Sequence, residues 1–122
     1  MDMNNRILVI DNNEEINNFL LIYLEKYGFL VDQAVTFENA KKLLKNENYS
    51  LILLDWELEN GSSGLDLLPF VDKFTKILLF GSLPVYQMTK SSKEHYQIDD
   101  FQSKNFRGDD LVRKTRTLLD IL

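Results

Sequence analysis

Residues 7–11 read Ile-Leu-Val-Ile-Asp, and residues 51–55 show the same pattern as Leu-Ile-Leu-Leu-Asp. Each is a short apolar run that ends abruptly at an aspartate. Runs of this length, rich in leucine and β-branched residues, are typical of strands that are buried on both faces of a sheet. A third run, Ile77–Phe80, ends at Gly81-Ser82. The pattern therefore predicts three central strands, two of which lead directly into a carboxylate.

Amphipathic stretches separate these runs and predict helices. The first helix has apolar residues at helical spacing, with Asn12 or Asn13 as a possible N-cap and Gly28 after its last turn. Its predicted apolar stripe comprises Ile16, Phe19, Leu20, Tyr23, Leu24 and Tyr27. Thr36 could cap a second helix. Each connection between strands is thus long enough for a crossover helix.

The second half of the chain continues the alternation. Ser63-Gly64-Leu65-Asp66 matches a capping box that opens a third helix, which Pro69 should kink or shorten. A weaker fourth helix is indicated between residues 85 and 96, and residues 111–122 predict a last helix.

Two further strands contain polar residues and belong at the edges of the sheet. Phe29–Val35 contains Asp32 and Gln33, and Asp99–Ser103 is polar around Phe101. Five successive βα units predict an α/β fold with a parallel sheet, right-handed crossovers and helices on both faces. The flavodoxin-like, doubly wound strand order 2-1-3-4-5 places the apolar strands in the middle.

Length and composition fit this fold. We expect residues 1–122 to form a single domain, since two domains of about 60 residues would have marginal cores. A net charge of −5 argues against a nucleic-acid-binding surface. The sequence has no apolar run of membrane-spanning length and no signal-peptide pattern at its start. With no cysteine in the chain, these features predict a cytoplasmic protein that binds no membrane.

The two aspartates define a candidate site. In strand order 2-1-3-4-5 the switch point lies between strands one and three, and Asp11 and Asp55 stand at their carboxyl ends. Neighbouring carboxylates repel unless a cation or a shared proton lies between them, and hard oxygen ligands suit Mg²⁺. Each aspartate could instead simply end its strand and cap the next turn. Lys104 follows strand five and could reach the same pocket, where an ammonium and a divalent cation would stabilise a phosphoryl group.

These motifs, together with Gly64-Leu65-Asp66-Leu67-Leu68 and residues 99–106, resemble a response-regulator receiver domain over nearly the whole chain. The resemblance implies a two-component signalling module, not an enzyme, that accepts a phosphoryl group from a histidine kinase or phosphotransfer protein. It implies the following roles: Asp55 as phosphoacceptor, Asp11 and position 12 as metal-site positions, Lys104 as the phosphoryl-binding lysine and Phe101 as the switch aromatic.

The resemblance also implies an output surface. Phosphorylation would change the face formed by the fourth helix, the fifth strand and the fifth, last helix. That face would contact an output protein or domain, and it could also support a homodimer.

Several positions depart from the receiver pattern. The second acidic metal position is Asn12, which brings an amide oxygen but no charge, so Mg²⁺ affinity should be weak. The Ser/Thr switch position is Gly81, and strand alternation would aim the next side chain, Ser82, elsewhere, although Ser82 could still substitute as a phosphoryl ligand. In the loop after Asp55 the usual proline is Glu59, and the loop is one residue longer.

Two further residues, Glu57 and His95, and one other class of protein also bear on the function. Glu57 occupies a position whose backbone carbonyl is a metal ligand in the family, and its carboxylate could restore the charge missing at Asn12, repel a phosphoryl group, or point to solvent. His95, the only histidine, lies in the weak fourth helix and is expected at the surface. A nucleotide-binding enzyme is disfavoured because the acidic turn at residues 11–15 would repel an anion.

Two readings of function therefore stay open. One is a phosphoacceptor receiver with weakened Mg²⁺-dependent switching, supported by Asp11, Asp55 and Lys104. The other is a receiver-like interaction module that works without phosphorylation, favoured by Asn12 and Gly81.

Overall fold

Five parallel strands form one sheet in the order β2-β1-β3-β4-β5. The computed structural model describes residues 6–81, 98–103 and 107–119. The strands are β1 (Arg6–Ile10), β2 (Leu30–Ala34), β3 (Leu51–Asp55), β4 (Lys76–Gly81) and β5 (Asp100–Ser103). The helices are α1 (Glu14–Lys26), α2 (Phe37–Asn46) and α3 (Gly108–Leu118), with 3-10 segments at Glu59–Gly61 and Gly64–Phe70. The predicted strand order and α/β class are confirmed.

Side-chain alternation along the central strands divides the core into two layers. Ile7 and Val9 of β1 face α1 and α3, where Leu20, Leu24 and Leu111 complete one apolar cluster. The alternate residues face the other side and pack with α2 and the segment Gly64–Phe70. The apolar residues of β1, β3 and β4 are at most 3% exposed, whereas β2 and β5 are mostly half-buried. The candidate aspartates therefore follow central strands that are covered on both faces.

Helix starts follow the predicted caps. The side chain of Asn13, the second of the two candidates, accepts a hydrogen bond of 3.1 Å from the amide of Ile16 and begins α1. Thr36 accepts one of 3.1 Å from the amide of Asn39 and begins α2. Gly28 follows α1 with a φ of 93°, a conformation that favours glycine.

The predicted third helix forms, as a short segment of the 3-10 type. Gly64–Phe70 is a 3-10 segment, because Pro69 lacks an amide donor and its ring would clash within an α-helix. Ser63 does cap its start, but the hydroxyl accepts from the amide of Leu65 and not from that of Asp66. The Asp66 amide instead donates to the Ser63 backbone carbonyl.

The apolar stripe predicted for α1 is also only partly buried. Leu20 and Leu24 are fully buried, but Phe19 and Tyr27 are 48% and 37% exposed. With Tyr23 between them they form an aromatic ladder along the helix, with ring centroids 5.5 and 5.4 Å apart. The third position of the buried stripe is a polar residue, Asn17, which was not predicted to be buried.

Some predicted features lie outside the described residues. These are Ser82, Lys104, His95 and the fourth helix. In the ranges that are described, no helix is long and apolar enough to cross a membrane.

Candidate functional site

Asp11 and Asp55 lie side by side at the carboxyl end of the sheet. Ile10 of β1 pairs with Leu54 of β3, and an aspartate follows each of them directly in the chain. Adjacent strands are about 4.8 Å apart, which makes the two residues direct neighbours. Their side chains are 0% and 2% exposed. The structure thus brings the two predicted carboxylates together in a place that is almost closed to water.

Each carboxylate is oriented by the backbone that follows it. One Asp11 oxygen (Oδ1) accepts a hydrogen bond of 2.9 Å from the amide of Asn13, two residues later. The Oδ1 of Asp55 likewise accepts one of 3.2 Å from the amide of Glu57. Hydrogen bonds to a carboxylate are stronger than those between neutral groups, so they restrict the rotation of both side chains.

Asn17 fixes the backbone behind Asp11. Its side-chain amide donates to the carbonyl oxygens of Asp11 and Ala34, both at 2.9 Å, and so joins the ends of β1 and β2. Its own oxygen accepts from Nε2 of Gln33 at 2.5 Å. Asn17 is fully buried. Its spacing of three and seven residues from Leu20 and Leu24 was the signal in the sequence that could have identified it.

The loop after Asp55 folds into a short antiparallel hairpin, which we define as Trp56–Gly64. The amide of Leu58 donates to the carbonyl of Ser62 at 2.8 Å, and that of Gly64 donates to the carbonyl of Trp56 at 2.9 Å. At its base Gly64 presses against β3, because a Cβ there would lie 1.9 Å from the Asp55 carbonyl oxygen. Only glycine fits this approach.

The remaining predicted site residues occupy the surroundings of this pair. Asn12 and the side chain of Glu57 are exposed, each next to the turn that holds an aspartate. Gly81 is buried at the end of β4 and pairs with Ser103. Phe101 is half-buried on β5 and packs against the core cluster that contains Leu79. Within the described ranges, no three carboxylate or imidazole groups converge as a metal site.

Lys114 connects the last helix to the edge strand and was not predicted. Its Nζ donates to the carbonyl of Phe101 at 3.2 Å and to Oε1 of Gln102 at 2.8 Å. Asp100 lies 3.6 Å from the same ammonium. The Lys114 side chain therefore links the strand with the predicted switch aromatic to α3.

A family model described as the response regulator receiver domain matches residues 7–116. The chain belongs to the response-regulator receiver family. The transcriptional regulatory protein SrrA of Staphylococcus aureus is 28% identical to this receiver over 127 residues, which cover 96% of this chain and 48% of SrrA. This receiver thus spans about half the length of that relative. The predicted family is confirmed, and receivers of this kind are signalling modules of two-component systems.

Solved structures agree with the fold. The response regulator protein TrrA from Thermotoga maritima, in complex with Mg²⁺-BeF, has 32% identity and a TM-score of 0.79, with 95% of this receiver and 99% of that chain covered. A response regulator from Burkholderia pseudomallei with a phosphorylated aspartic acid, a calcium ion and citrate has 26% identity and a TM-score of 0.80, with coverage of 94% and 68%. Both similarities support the flavodoxin-like architecture.

Proposed function

We propose that this receiver accepts a phosphoryl group on Asp55 from a histidine kinase or a histidine phosphotransfer protein. The observation that carries the proposal is the buried pair Asp11 and Asp55 at adjacent positions of neighbouring central strands. Of the two, Asp55 lies next to the hairpin and has its carboxylate oriented by the Glu57 amide. In the transfer, an Asp55 oxygen attacks phosphorus, the bond to the donor atom breaks, and the donor keeps the electron pair.

The residues at this end of the sheet suit a divalent cation. Asp11 and Asp55 supply two carboxylates, and Mg²⁺ prefers oxygen ligands while keeping several waters. The amide oxygen of Asn12 and the backbone carbonyl of Glu57 are the further candidate ligands, and the Glu57 carboxylate is an alternative source of charge. When bound, the cation would neutralise charge on the transferred group. Since Asn12 adds no charge, we expect the cation to bind weakly.

The role of the remaining residues follows from the family resemblance. Lys104 would pair with the phosphoryl group, and Ser82 is a second candidate ligand for it. Gly81 offers no hydroxyl at the switch position, so the coupling between phosphorylation and Phe101 should be weaker than in a typical receiver. The partner would be an output protein or domain on the face that contains β5 and α3.

A second candidate function is an interaction module that works without phosphorylation. The specific observation in its favour is Gly81, buried and paired with Ser103 where a hydroxyl would be needed. In that case the same face would dock its partner constitutively, or pair with a second copy.

Intact-mass measurement distinguishes the two candidates. We expect incubation with a small-molecule phosphodonor and Mg²⁺ to add one phosphoryl group to the wild type and none to Asp55→Asn. Phosphorylation should also change binding to the output partner. A mass shift that survives in Asp55→Asn would contradict the assignment, and an unmodified wild type would favour the second candidate.

A further inference from the structure

The tip of the hairpin Trp56–Gly64 is tied to a different element of the fold. Both carboxylate oxygens of Glu59 accept from the backbone amide of Phe37, the first residue of α2, at 3.0 and 3.3 Å. The side chain is half-buried, and the two residues are 22 positions apart in the chain. The contact therefore joins the loop after Asp55 to the helix that follows β2.

The Phe37 amide is a suitable partner for a carboxylate. Amides in the first turn of a helix have no acceptor within the helix, and the helix dipole favours negative charge there. Thr36 uses its hydroxyl for the amide of Asn39, which leaves that of Phe37 for Glu59. The bond is thus charge-assisted and is not in competition with the ordinary N-cap.

We propose that Glu59 is a positioning residue that holds Glu57 beside the Asp55 carboxylate. This inference rests on the proposed function and deepens it. The hairpin is fixed at its base by Gly64 against β3 and at its tip by Glu59 on α2. Glu57 lies between these two points and donates its amide to Asp55. With both ends fixed, the Glu57 backbone cannot drift away from the acceptor.

We call the contact between the Glu59 carboxylate and the Phe37 amide the clamp. Its position fits the departures from the receiver pattern. Where the family usually has a proline, whose ring restricts the backbone, this receiver has Glu59 in a loop one residue longer. A longer loop without proline has more conformations available, and the bond from Phe37 to Glu59 removes many of them. The constraint has changed from a covalent ring to a hydrogen bond between two elements.

Three variants test the clamp. Glu59→Ala removes it, and Glu59→Gln keeps an acceptor oxygen while removing the charge. Glu38→Gln is the matched control, because Glu38 is an exposed acid in the first turn of the same helix. The first measurement is hydrogen exchange of the hairpin amides without metal. The second is the Mg²⁺ concentration that half-saturates the fluorescence change of Trp56.

The proposal makes a graded prediction. Hairpin amides should exchange about ten-fold faster in Glu59→Ala, the size of effect that one charge-assisted hydrogen bond supports. The half-saturating Mg²⁺ concentration should rise about ten-fold, the lower end of the effect of losing a group that orients a metal ligand from behind. Glu59→Gln should lie nearer the wild type in both measurements, and Glu38→Gln should match the wild type.

Other outcomes overturn the proposal and are separable from failure of the proposed function. If Glu59→Ala matches Glu38→Gln in both measurements, Glu59 positions nothing, although Asp55 could still be phosphorylated. A second contrary outcome is that Glu59→Gln weakens Mg²⁺ binding as strongly as Glu59→Ala does, while the hairpin amides of both variants exchange at the wild-type rate. Glu59 would then act only through its charge, and the clamp would be wrong. If the wild type takes up neither Mg²⁺ nor phosphoryl, the proposed function fails, and equal hairpin exchange in Glu59→Ala would then overturn the clamp as well.

Discussion

At the scale of single residues, the site depends on polar side chains in places that are otherwise apolar. Asp11, Asp55 and Asn17 are all at most 2% exposed. A buried polar group is costly unless it is hydrogen-bonded, so the partners of these residues matter as much as their identities. Asn17 satisfies two backbone carbonyls at the point where β1 leads into Asp11. The candidate site is therefore supported from within the core and not only from its rim.

Charge at position 12 should control Mg²⁺ affinity. Because the wild type has an uncharged Asn12 beside the Asp pair, we expect Mg²⁺ to change Trp56 fluorescence only at high millimolar concentration. Asn12→Asp should lower the half-saturating concentration by about ten-fold, since affinity for hard cations rises with ligand charge. Asn18→Asp, which adds the same charge at an exposed position of α1, should have little effect.

The exposed carboxylate of Glu57 provides the competing explanation. If Glu57 supplies the missing charge, the wild type should bind Mg²⁺ tightly and Glu57→Gln should weaken binding. A wild-type titration that saturates below about 1 mM and does not change in Glu57→Gln would contradict this account of the pocket.

Asn17→Ala should destabilise the whole fold. The change removes the hydrogen bonds that the Asn17 side chain donates to the carbonyls of Asp11 and Ala34 and the one that it accepts from Gln33, which should lower the free energy of unfolding by about 2–4 kcal/mol. Asn18 is the matched control, because it is exposed and its side chain also accepts a hydrogen bond from Gln33, at 3.1 Å. Urea unfolding of both variants measures the difference. Equal stability of the two would show that Asn17 is not a central support.

At the scale of elements, strand order was predictable but the shapes of the connections were not. Apolar runs mark β1, β3 and β4 as central strands, because strands covered on both faces have no polar positions. The start of the helix Gly64–Phe70 was predictable from Ser63, but its 3-10 geometry was not, since a capping motif indicates a start but not a helix type. The hydrogen bond between Glu59 and Phe37 could not be predicted from the sequence, because it depends on how the hairpin packs against α2, 22 positions away in the chain. Local pattern therefore located the aspartates, and tertiary packing determined their supports.

The contact between the hairpin and β3 leads to a prediction about Gly64. Gly64→Ala would place a Cβ 1.9 Å from the backbone oxygen of Asp55, so the strand end or the hairpin must move. We expect a loss of about 2–3 kcal/mol in the free energy of unfolding, together with slower phosphorylation.

Gly61→Ala provides the comparison for Gly64→Ala. A Cβ at Gly61 meets no atom within 4 Å, and only its φ of 76° opposes the change. That strain should cost about 1 kcal/mol. A Gly64→Ala variant that is as stable as Gly61→Ala and is phosphorylated at the wild-type rate would refute the close approach.

At the scale of the whole molecule, the two ends of the sheet have different roles. The carboxyl end holds Asp11 and Asp55, and the amino end holds a polar cluster around Tyr49. The Tyr49 hydroxyl donates to Asp32 Oδ2 at 2.7 Å. Arg6 joins the cluster through Asp32 at 3.6 Å and Glu47 at 2.8 Å. This cluster connects the start of β1 and the middle of β2 to the end of α2, at the opposite end of the sheet from Asp11 and Asp55, so it should affect stability and not cation binding.

Tyr49 makes the stability of the fold depend on pH in the alkaline range. Burial first, and then the hydrogen bond to Asp32, raise the pKa of the Tyr49 phenol above its ordinary value of 10. Below pH 10 the phenol is protonated in both the folded and the unfolded chain, so its full contribution is present. Above pH 10 the unfolded chain loses the proton while the folded chain keeps it, and stability falls as pH rises.

Tyr49→Phe should therefore lower stability at neutral pH and flatten the alkaline decline. We expect a loss of about 1 kcal/mol at pH 8 from the missing hydrogen bond. Between pH 9 and pH 11 the difference in the free energy of unfolding between the two proteins should shrink by about 1 kcal/mol. The reason is that ionisation of Tyr49 stabilises the unfolded state of the wild type only. The pKa of Tyr23, raised to about 12 by hydrogen bonding to Tyr27, burial and Asp109, affects both proteins equally and cancels in the comparison.

Urea unfolding at these pH values measures the difference in stability between the two proteins. Trp56 fluorescence should give the same half-saturating Mg²⁺ concentration for both, because effects at distant sites are independent. A gap that stays constant with pH would show that Tyr49 does not control the decline, and a changed Mg²⁺ titration would show that the two ends of the sheet are coupled.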